Sequence, residues 1–238
     1  IAPIDLVIVD LYPFEETVAA GGSEEDSIEK IDIGGISLIR AAAKNFQDVL
    51  IVSSRQQYAA LLDLLQKNNG STELSDRRQC AALAFDTSSH YDTAIFNEFN
   101  QGGELLRFKQ SAQAGRTLRY GENPHQKGFF FGDLDALFDQ LNGKELSYNN
   151  LVDVDAAVAL LQEFSQTAFV IIKHTNACGV ATATDVKGAY AKALQADPVS
   201  AFGGVLATNR TVDLASAEEI NKLFFEILIA PDFAPDAL

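Results

Sequence analysis

The sequence predicts an α/β fold laid out as two successive segments. Short apolar runs rich in β-branched and aromatic residues, among them Asp5–Leu11 and Ala168–Ile172, alternate with stretches of helical periodicity, the arrangement that builds βαβ units and a parallel sheet. Gln101-Gly102-Gly103 and the polar Gln110-Ser111-Ala112-Gln113 interrupt the alternation, which resumes at Leu118. With 238 residues and 47% hydrophobic content, the chain has enough apolar material for one large domain or two small ones. The interruption puts a boundary near residue 115, giving segments 1–115 and 116–238.

In the first segment a strand over Asp5–Leu11 leads through a loop to a helix over Ile36–Asn45, a strand over Val49–Ser53 and a helix over Arg55–Lys67 that Asn69-Gly70 ends. Leu74–Phe99 is helical, with Ala81, Leu83, Ala84, Tyr91, Ala94, Ile95 and Phe99 forming an apolar stripe, and reads as a connector between domains. In the second segment Lys127–Phe131 and Glu145–Tyr148 read as strands. Val152–Phe164 reads as a helix with Val154, Ala157, Val158, Leu161 and Phe164 on one face. Ala168-Phe169-Val170-Ile171-Ile172 has the unbroken apolar character of a strand covered on both faces. A helix over Asp185–Leu194, a strand over Ala201–Ala207, a helix over Ala215–Phe225 and a strand over Ile227–Ile229 complete the order.

Eighteen basic against thirty-three acidic side chains leave a formal charge of -15, which repels nucleic acid and anionic membranes from any broad face. A bound phosphate must therefore be held locally. Cys80 and Cys178 lie far apart without a disulfide framework, and no signal peptide or membrane-spanning run is visible, so the cytoplasm is the expected compartment. The sequence contains no methionine and opens on Ile1-Ala2-Pro3-Ile4, which leads us to expect an internal piece of a longer protein with function divided between it and the remainder.

Chemistry concentrates in a few motifs. Lys173-His174-Thr175-Asn176 follows directly on the buried strand, and in open α/β sheets ligands bind beyond the carboxyl ends of strands. Arg119-Tyr120-Gly121-Glu122-Asn123-Pro124-His125-Gln126 offers a bidentate fork, a stacking face and a histidine donor, more than a Pro-containing turn requires. Asp32-Ile33-Gly34-Gly35 precedes a helix that carries Arg40 and Lys44, and paired glycines there let backbone amides face an anion. Each motif also has an ordinary structural explanation: a solvated lysine, a tight turn, small residues for packing. A metal centre is less convincing, since His174 and Cys178 are four apart across a loop marked by Gly179 and no further cluster completes a zinc shell.

Taken together, Leu11-Tyr12-Pro13-Phe14, Ile31-Asp32-Ile33-Gly34-Gly35 with Arg40-Ala41-Ala42-Ala43-Lys44-Asn45, the Arg119–Gln126 stretch, Lys173-His174, Ser200-Ala201-Phe202-Gly203-Gly204 and Ile229-Ala230-Pro231 closely resemble the bifunctional purine-biosynthesis enzymes that join AICAR formyltransferase to IMP cyclohydrolase. The resemblance runs through nearly the whole chain. It implies the C-terminal part of a methylglyoxal-synthase-like Rossmann-type cyclohydrolase domain and a helical connector within 1–115, then the first part of a cytidine-deaminase-like transformylase domain, lacking zinc, in 116–238.

The resemblance also implies roles. Tyr12, Asp32 and Lys44 match cyclohydrolase active-site positions, with Gly34 and Gly35 supplying backbone near the nucleotide. His174 matches the transformylase proton-transfer residue, with Lys173 beside it and Arg119, Tyr120, Asn150, Phe202, Gly203 and Glu226 around the AICAR pocket. The substrates implied are AICAR and formyl-AICAR, with 10-formyltetrahydrofolate as co-substrate, no metal, and a homodimer when full length. Asp10 departs from the Asn expected before Leu-Tyr-Pro-Phe. Two rivals remain open: a zinc deaminase, which lacks its Pro-Cys-x-x-Cys element here, and a non-catalytic nucleotide-binding module.

Overall fold

The computed structural model describes residues 3–238, so Ile1 and Ala2 of the opening motif lie outside it. The chain divides into two compact units, Ile1–Gln113 and Ala114–Leu238.

In the first unit β1 (Leu6–Ile8) pairs in parallel with β2 (Leu50–Val52), and the crossover between them runs through α1 (Phe14–Ala19), α2 (Glu24–Glu29) and α3 (Gly34–Lys44). The expected βαβ pattern is present, although β1 is shorter than its apolar run. Two short helices occupy what reads in sequence as a loop. Their starts have local causes: Phe14 anchors α1 in the core, and α2 opens on a capping box in which Ser23 and Asp26 satisfy each other's backbone N–H. After β2 come α4 (Tyr58–Lys67) and the long α5 (Leu74–Phe99). Ile39, Ala42 and Ala43 of α3 pack with Ile51 of β2 and with Ala81 and Ala84 of α5. The long helix is thus built into this unit's core instead of serving as a free connector. Its stripe of small residues is what lets it lie close against α3.

The second unit begins with a small antiparallel pair, β3 (Gly115–Thr117) and β4 (Phe129–Phe131). It continues through α6 (Tyr148–Gln162), β5 (Ala168–Lys173), β6 (Asn176–Thr182), α7 (Val186–Ala196), β7 (Val205–Thr208), α8 (Leu214–Ile220) and β8 (Ile227–Ile229). The strand order is β6-β5-β7-β8. β5 is antiparallel to both neighbours, and only β7 and β8 run parallel. This sheet is mixed, not parallel.

Strand alternation splits the buried run of β5 between two layers. Phe169 and Ile171 pack with Ala189, Tyr190 and Ala193 of α7 and Ile220 of α8. Ala168, Val170 and Ile172 face Val154, Ala157 and Leu161 of α6. Each large apolar side chain fully buried this way contributes about 1.5–3 kcal/mol, which is why β5 forms the centre of the unit.

Three boundaries differ from expectation for local reasons. Glu145–Tyr148 is no strand, because Ser147 caps α6 through a reciprocal box with Asn150. β7 starts at Val205 and not Ala201, because Gly203 turns the chain at φ +72° and Gly204 lies against the Ile172 carbonyl. β6 replaces an expected loop, because the chain reverses immediately after Lys173.

Candidate active site

In the second unit, the carboxyl end of β5 and the amino ends of β6, β7 and β8 share one edge of the sheet. Lys173 closes β5, and its Nζ donates to the Phe202 carbonyl oxygen at 2.7 Å. The chain then turns within two residues. His174 and Thr175 have φ of +52° and +63°, and Lys173 pairs with Asn176 across the turn. Two consecutive left-handed residues are the pattern of a type I′ hairpin turn, readily adopted by Asn-Gly and costly for a histidine followed by a β-branched threonine.

Three side chains hold this turn. Asp153 Oδ1, on α6, accepts from the Thr175 N–H at 2.7 Å. The Thr175 hydroxyl and the Asn176 amide both donate to the His174 carbonyl oxygen, at 2.6 and 2.8 Å. The His174 side chain is exposed beyond the sheet edge.

The same helix grips the other end of the constellation. Buried Asn150 donates from Nδ2 to Glu226 Oε2 at 2.8 Å, while its Oδ1 accepts from the Ser147 N–H and hydroxyl. Glu226 N–H donates to the Gly204 carbonyl, and Gly203 N–H to the Phe224 carbonyl, which ties the entry of β8 to the entry of β7. The rings of Phe202 and Phe224 lie 5.2 Å apart and are both more than half exposed. A Cβ on Gly204 would stand 2.9 Å from the Ile172 carbonyl oxygen, so this close approach needs glycine.

Arg119 and Tyr120 lie on a backbone segment laced to both neighbours: Arg119 N–H donates to the Leu146 carbonyl and Tyr148 N–H to that of Tyr120, each at 3.0 Å. That places them beside the start of α6 and hence beside Asn150. The Arg119 guanidinium stacks 4.9 Å from the Tyr120 ring centroid and donates to its hydroxyl at 3.1 Å. Most of its donors remain available to an anion. A depression of about 560 Å³ flanks this loop, lined by Gly121, Glu122, Lys127, Phe129, Phe131 and Tyr148 among others.

In the first unit, Asp32 is fixed from several sides. Its N–H donates to the Tyr91 hydroxyl at 2.8 Å, and that hydroxyl donates to the Lys30 carbonyl at 2.6 Å. Its Oδ1 accepts from Gly35 N–H at 2.6 Å and its Oδ2 from Tyr12 N–H at 3.4 Å. A Cβ on Gly35 would stand 2.7 Å from Oδ2. Asp32 therefore caps α3, which opens at Gly34, and holds the loop that carries the exposed Tyr12 ring. Lys44 lies in the last turn of α3, about 15 Å along the axis from Gly34 at 1.5 Å per residue. Tyr12, Asp32, Gly34 and Gly35 are brought together; Lys44 is not.

Asp10 is paired, not free. One oxygen accepts from Arg55 Nε at 3.1 Å and from the Tyr58 hydroxyl at 2.7 Å, and that bond pushes the Tyr58 hydroxyl above its ordinary pKa. Its other oxygen is buried without a partner.

Sequence reasoning missed Asp153 and Tyr91 as parts of these sites, and named Thr175 and Asn176 only as members of the Lys173–Asn176 motif, without a role. Asp153 had a usable signal, since it falls three residues after Asn150 and so on the same helical face. Tyr91 was visible only as one member of an apolar stripe. Cys178 lies on β6, and burial above all pushes its thiol upward, assisted by Asp197 and opposed by Lys173. Among the described residues no group of three or more His, Cys, Asp or Glu could hold a metal ion, and no helix is long and apolar enough to cross a membrane.

The family model described as "AICARFT/IMPCHase bienzyme" matches residues 42–238. A protein of Bacteroides thetaiotaomicron named "Bifunctional purine biosynthesis protein PurH" is 61% identical over 238 residues, which is 100% of this chain and 47% of that protein. Proteins of the same name from Rhodospirillum rubrum and Bradyrhizobium diazoefficiens are 51% identical over 247 residues and 49% over 249, again across 100% of this chain and 47% of theirs. The chain thus spans about half the length of the curated relatives it matches. A solved structure, "Crystal structure of ForH", is 32% identical over 43% of this chain and 54% of its own, with a TM-score of 0.35.

Proposed function

The chain belongs to the AICARFT/IMPCHase bienzyme family, and on that premise we propose that it contributes to two active sites: formyl transfer to AICAR, and cyclodehydration of formyl-AICAR to IMP, the last two steps of de novo purine biosynthesis. The cyclohydrolase site is assigned to the first unit and the transformylase site to the second. What carries the transformylase assignment is the single sheet edge on which Lys173, His174, Phe202, Gly203, Asn150 and Glu226 meet.

Formyl transfer forms a bond between the AICAR amine nitrogen and the formyl carbon, and breaks the bond from that carbon to the donor's nitrogen. The aromatic amine is a poor nucleophile, so its proton needs a base and the departing nitrogen an acid. His174 takes the amine proton and returns it to the departing nitrogen, so that no net proton is gained or lost. Lys173, already held by the Phe202 carbonyl, keeps a positive charge where negative charge develops on the formyl oxygen. Arg119 anchors the AICAR phosphate, Tyr120 offers its ring to the base, and Asn150 with Glu226 meets the polar edge of the carboxamide. A formyltransferase of this family implies a folate-type one-carbon donor; we assign 10-formyltetrahydrofolate as co-substrate, with the exposed Phe202 and Phe224 rings as a surface suited to a flat ring system. No step is given to a metal.

In cyclisation the carboxamide nitrogen attacks its own formyl carbon and water leaves. Asp32 orients the amide and takes up its proton, since two backbone N–H contacts leave it further lone pairs. Tyr12 faces the developing oxyanion, and Gly34 and Gly35 bring backbone near the nucleotide. Lys44, at the far end of α3, is assigned with Tyr12 to the developing oxyanion on the family resemblance alone, and for the full-length protein we propose a cytoplasmic homodimer.

The test is made on the full-length protein, following formyl transfer to AICAR and cyclisation of supplied formyl-AICAR. Replacing Lys173 and His174 with Ala should abolish transfer and spare cyclisation, and Lys44→Ala should do the reverse. A wild type that binds AICAR and does neither reaction would favour a binding module and sink the proposal.

A further inference from the structure

The turn that carries His174 is more tightly held than a hairpin needs. Neither of its left-handed residues is glycine, each such position costs of order 1–3 kcal/mol, and strain of this kind persists only where neighbours over-determine it. Here the neighbours are identifiable. Thr175 and Asn176 close the turn on the His174 carbonyl from within, and Asp153 reaches from α6 to the Thr175 N–H. Asp153 is the only one of the three on a different element. Its helix is itself anchored by the Ser147–Asn150 box and by the Asn150–Glu226 bond. The direction in which the His174 side chain leaves the sheet is therefore referred to the same helix that holds Asn150.

We infer that Asp153 is a positioning residue for formyl transfer: through the Thr175 N–H it fixes the strained turn, and so aims His174 at the substrate held beside Asn150. This rests on the assignment of His174 as the proton-transfer group. Asp153 touches neither substrate nor donor in this account. Its work is the geometry of one backbone turn. A misplacement of about 1 Å at a proton-transfer group costs roughly 10²-fold in rate.

The experiment compares Asp153→Ala, Asp153→Asn and His174→Ala in the full-length protein, measuring kcat and KM for formyl transfer, AICAR binding by titration, and cyclisation as an internal control for folding. Asp153→Ala should lower kcat roughly 10²-fold, with AICAR affinity and cyclisation within about twofold of wild type. Asp153→Asn keeps an oxygen acceptor for the Thr175 N–H and should restore most of that kcat. If Asp153→Asn falls as far as Asp153→Ala, the charge matters and the positioning role is overturned. If Asp153→Ala loses AICAR binding along with rate, or retains full kcat, the inference is equally overturned. Failure of His174→Ala to slow transfer would instead refute the underlying assignment of His174, which keeps the two failures distinguishable.

Discussion

Replacing His174 with glycine is expected to stabilise the protein while abolishing formyl transfer. His174 sits at φ +52°, where a residue with a Cβ pays about 1–2 kcal/mol that glycine avoids. Glycine gives back about 0.5–1 kcal/mol through the greater freedom of the unfolded chain. Little else is lost. The imidazole is exposed, and the His174 carbonyl that accepts from Thr175 and Asn176 belongs to the backbone and survives the change. The net expectation is a gain of about 0.5–1 kcal/mol, a rise of roughly 1–4 °C in the unfolding midpoint where the cooperative unit holds roughly 150–250 residues and less where it is larger. Thr175→Gly is the internal control, because the strain it relieves is offset by loss of the 2.6 Å hydroxyl bond, and its stability should stay near that of wild type. Thermal and urea unfolding of the full-length variants, with amide exchange across residues 171–180 to localise the effect, would measure it. A destabilised His174→Gly protein would show that the imidazole makes stabilising contacts and that no strain is stored there.

Gly179→Ala should destabilise the second unit by about 3 kcal/mol or prevent its folding, because the new Cβ would lie against the Ala193 carbonyl of α7; an unfolding free energy within about 0.5 kcal/mol of wild type, below the roughly 1–3 kcal/mol that overpacking costs, would contradict the packing. Gly35→Ala should slow cyclisation at least tenfold, since a Cβ 2.7 Å from the Asp32 carboxylate disrupts the cap of α3, while formyl transfer stays unchanged as the control. Acid should weaken the second unit in a definite window. The Ser216 hydroxyl and N–H hold Asp213 below the ordinary carboxylate range, and the Ser200 N–H and hydroxyl do the same for Asp197. Their contribution is therefore complete above the unfolded value near 3.8 and fades as pH falls through the lower folded values. Asp213→Asn with Asp197→Asn should flatten that acid limb of a pH–stability curve, and an unchanged slope would refute these bonds as its source.

Apolar runs and strong local capping made much of the fold legible. The run Ala168–Ile172 announced a strand buried on both faces, and its alternate residues do enter two separate cores. The periodicity of Leu74–Phe99 announced a helix, but periodicity states only that one face is apolar, not what covers it. Ala81 and Ala84 turn out to pack against α3 and β2. β6 was hidden because His-Thr carries none of the glycine or asparagine that marks a two-residue turn, and because Asn176-Ala177-Cys178-Gly179 has no alternation of large apolar and polar residues. α1 and α2 were hidden for a related reason: six-residue helices hold fewer than two turns, too few for a period to show.

The candidate site shows how an incomplete rule can still point to the edge where these side chains gather. Ligands gather beyond the carboxyl ends of strands in parallel sheets because every crossover returns the chain to the same side. In this sheet β5 runs against both of its neighbours, so the edge beyond Lys173 collects one carboxyl end and three amino ends. Lys173 and His174 are consequently joined there by residues at the entries of strands: Asn176 opening β6, Phe202 through Gly204 before β7, Glu226 before β8. Amino ends approached through tight turns bring backbone carbonyls and N–H groups close together, which is why Gly203 and Gly204 sit between Phe202 and the strand. What distinguishes this edge as a candidate site is the gathering of four strand ends, two of which are bonded by Asn150 and Asp153 of α6. A change that moved α6 by a fraction of a turn would disconnect Glu226 and the His174 turn together. The pair Asn150→Ala and Asp153→Ala should therefore show a coupling of at least about 0.5 kcal/mol in kcat/KM for formyl transfer, whereas strictly additive losses would mean that the two contacts act independently.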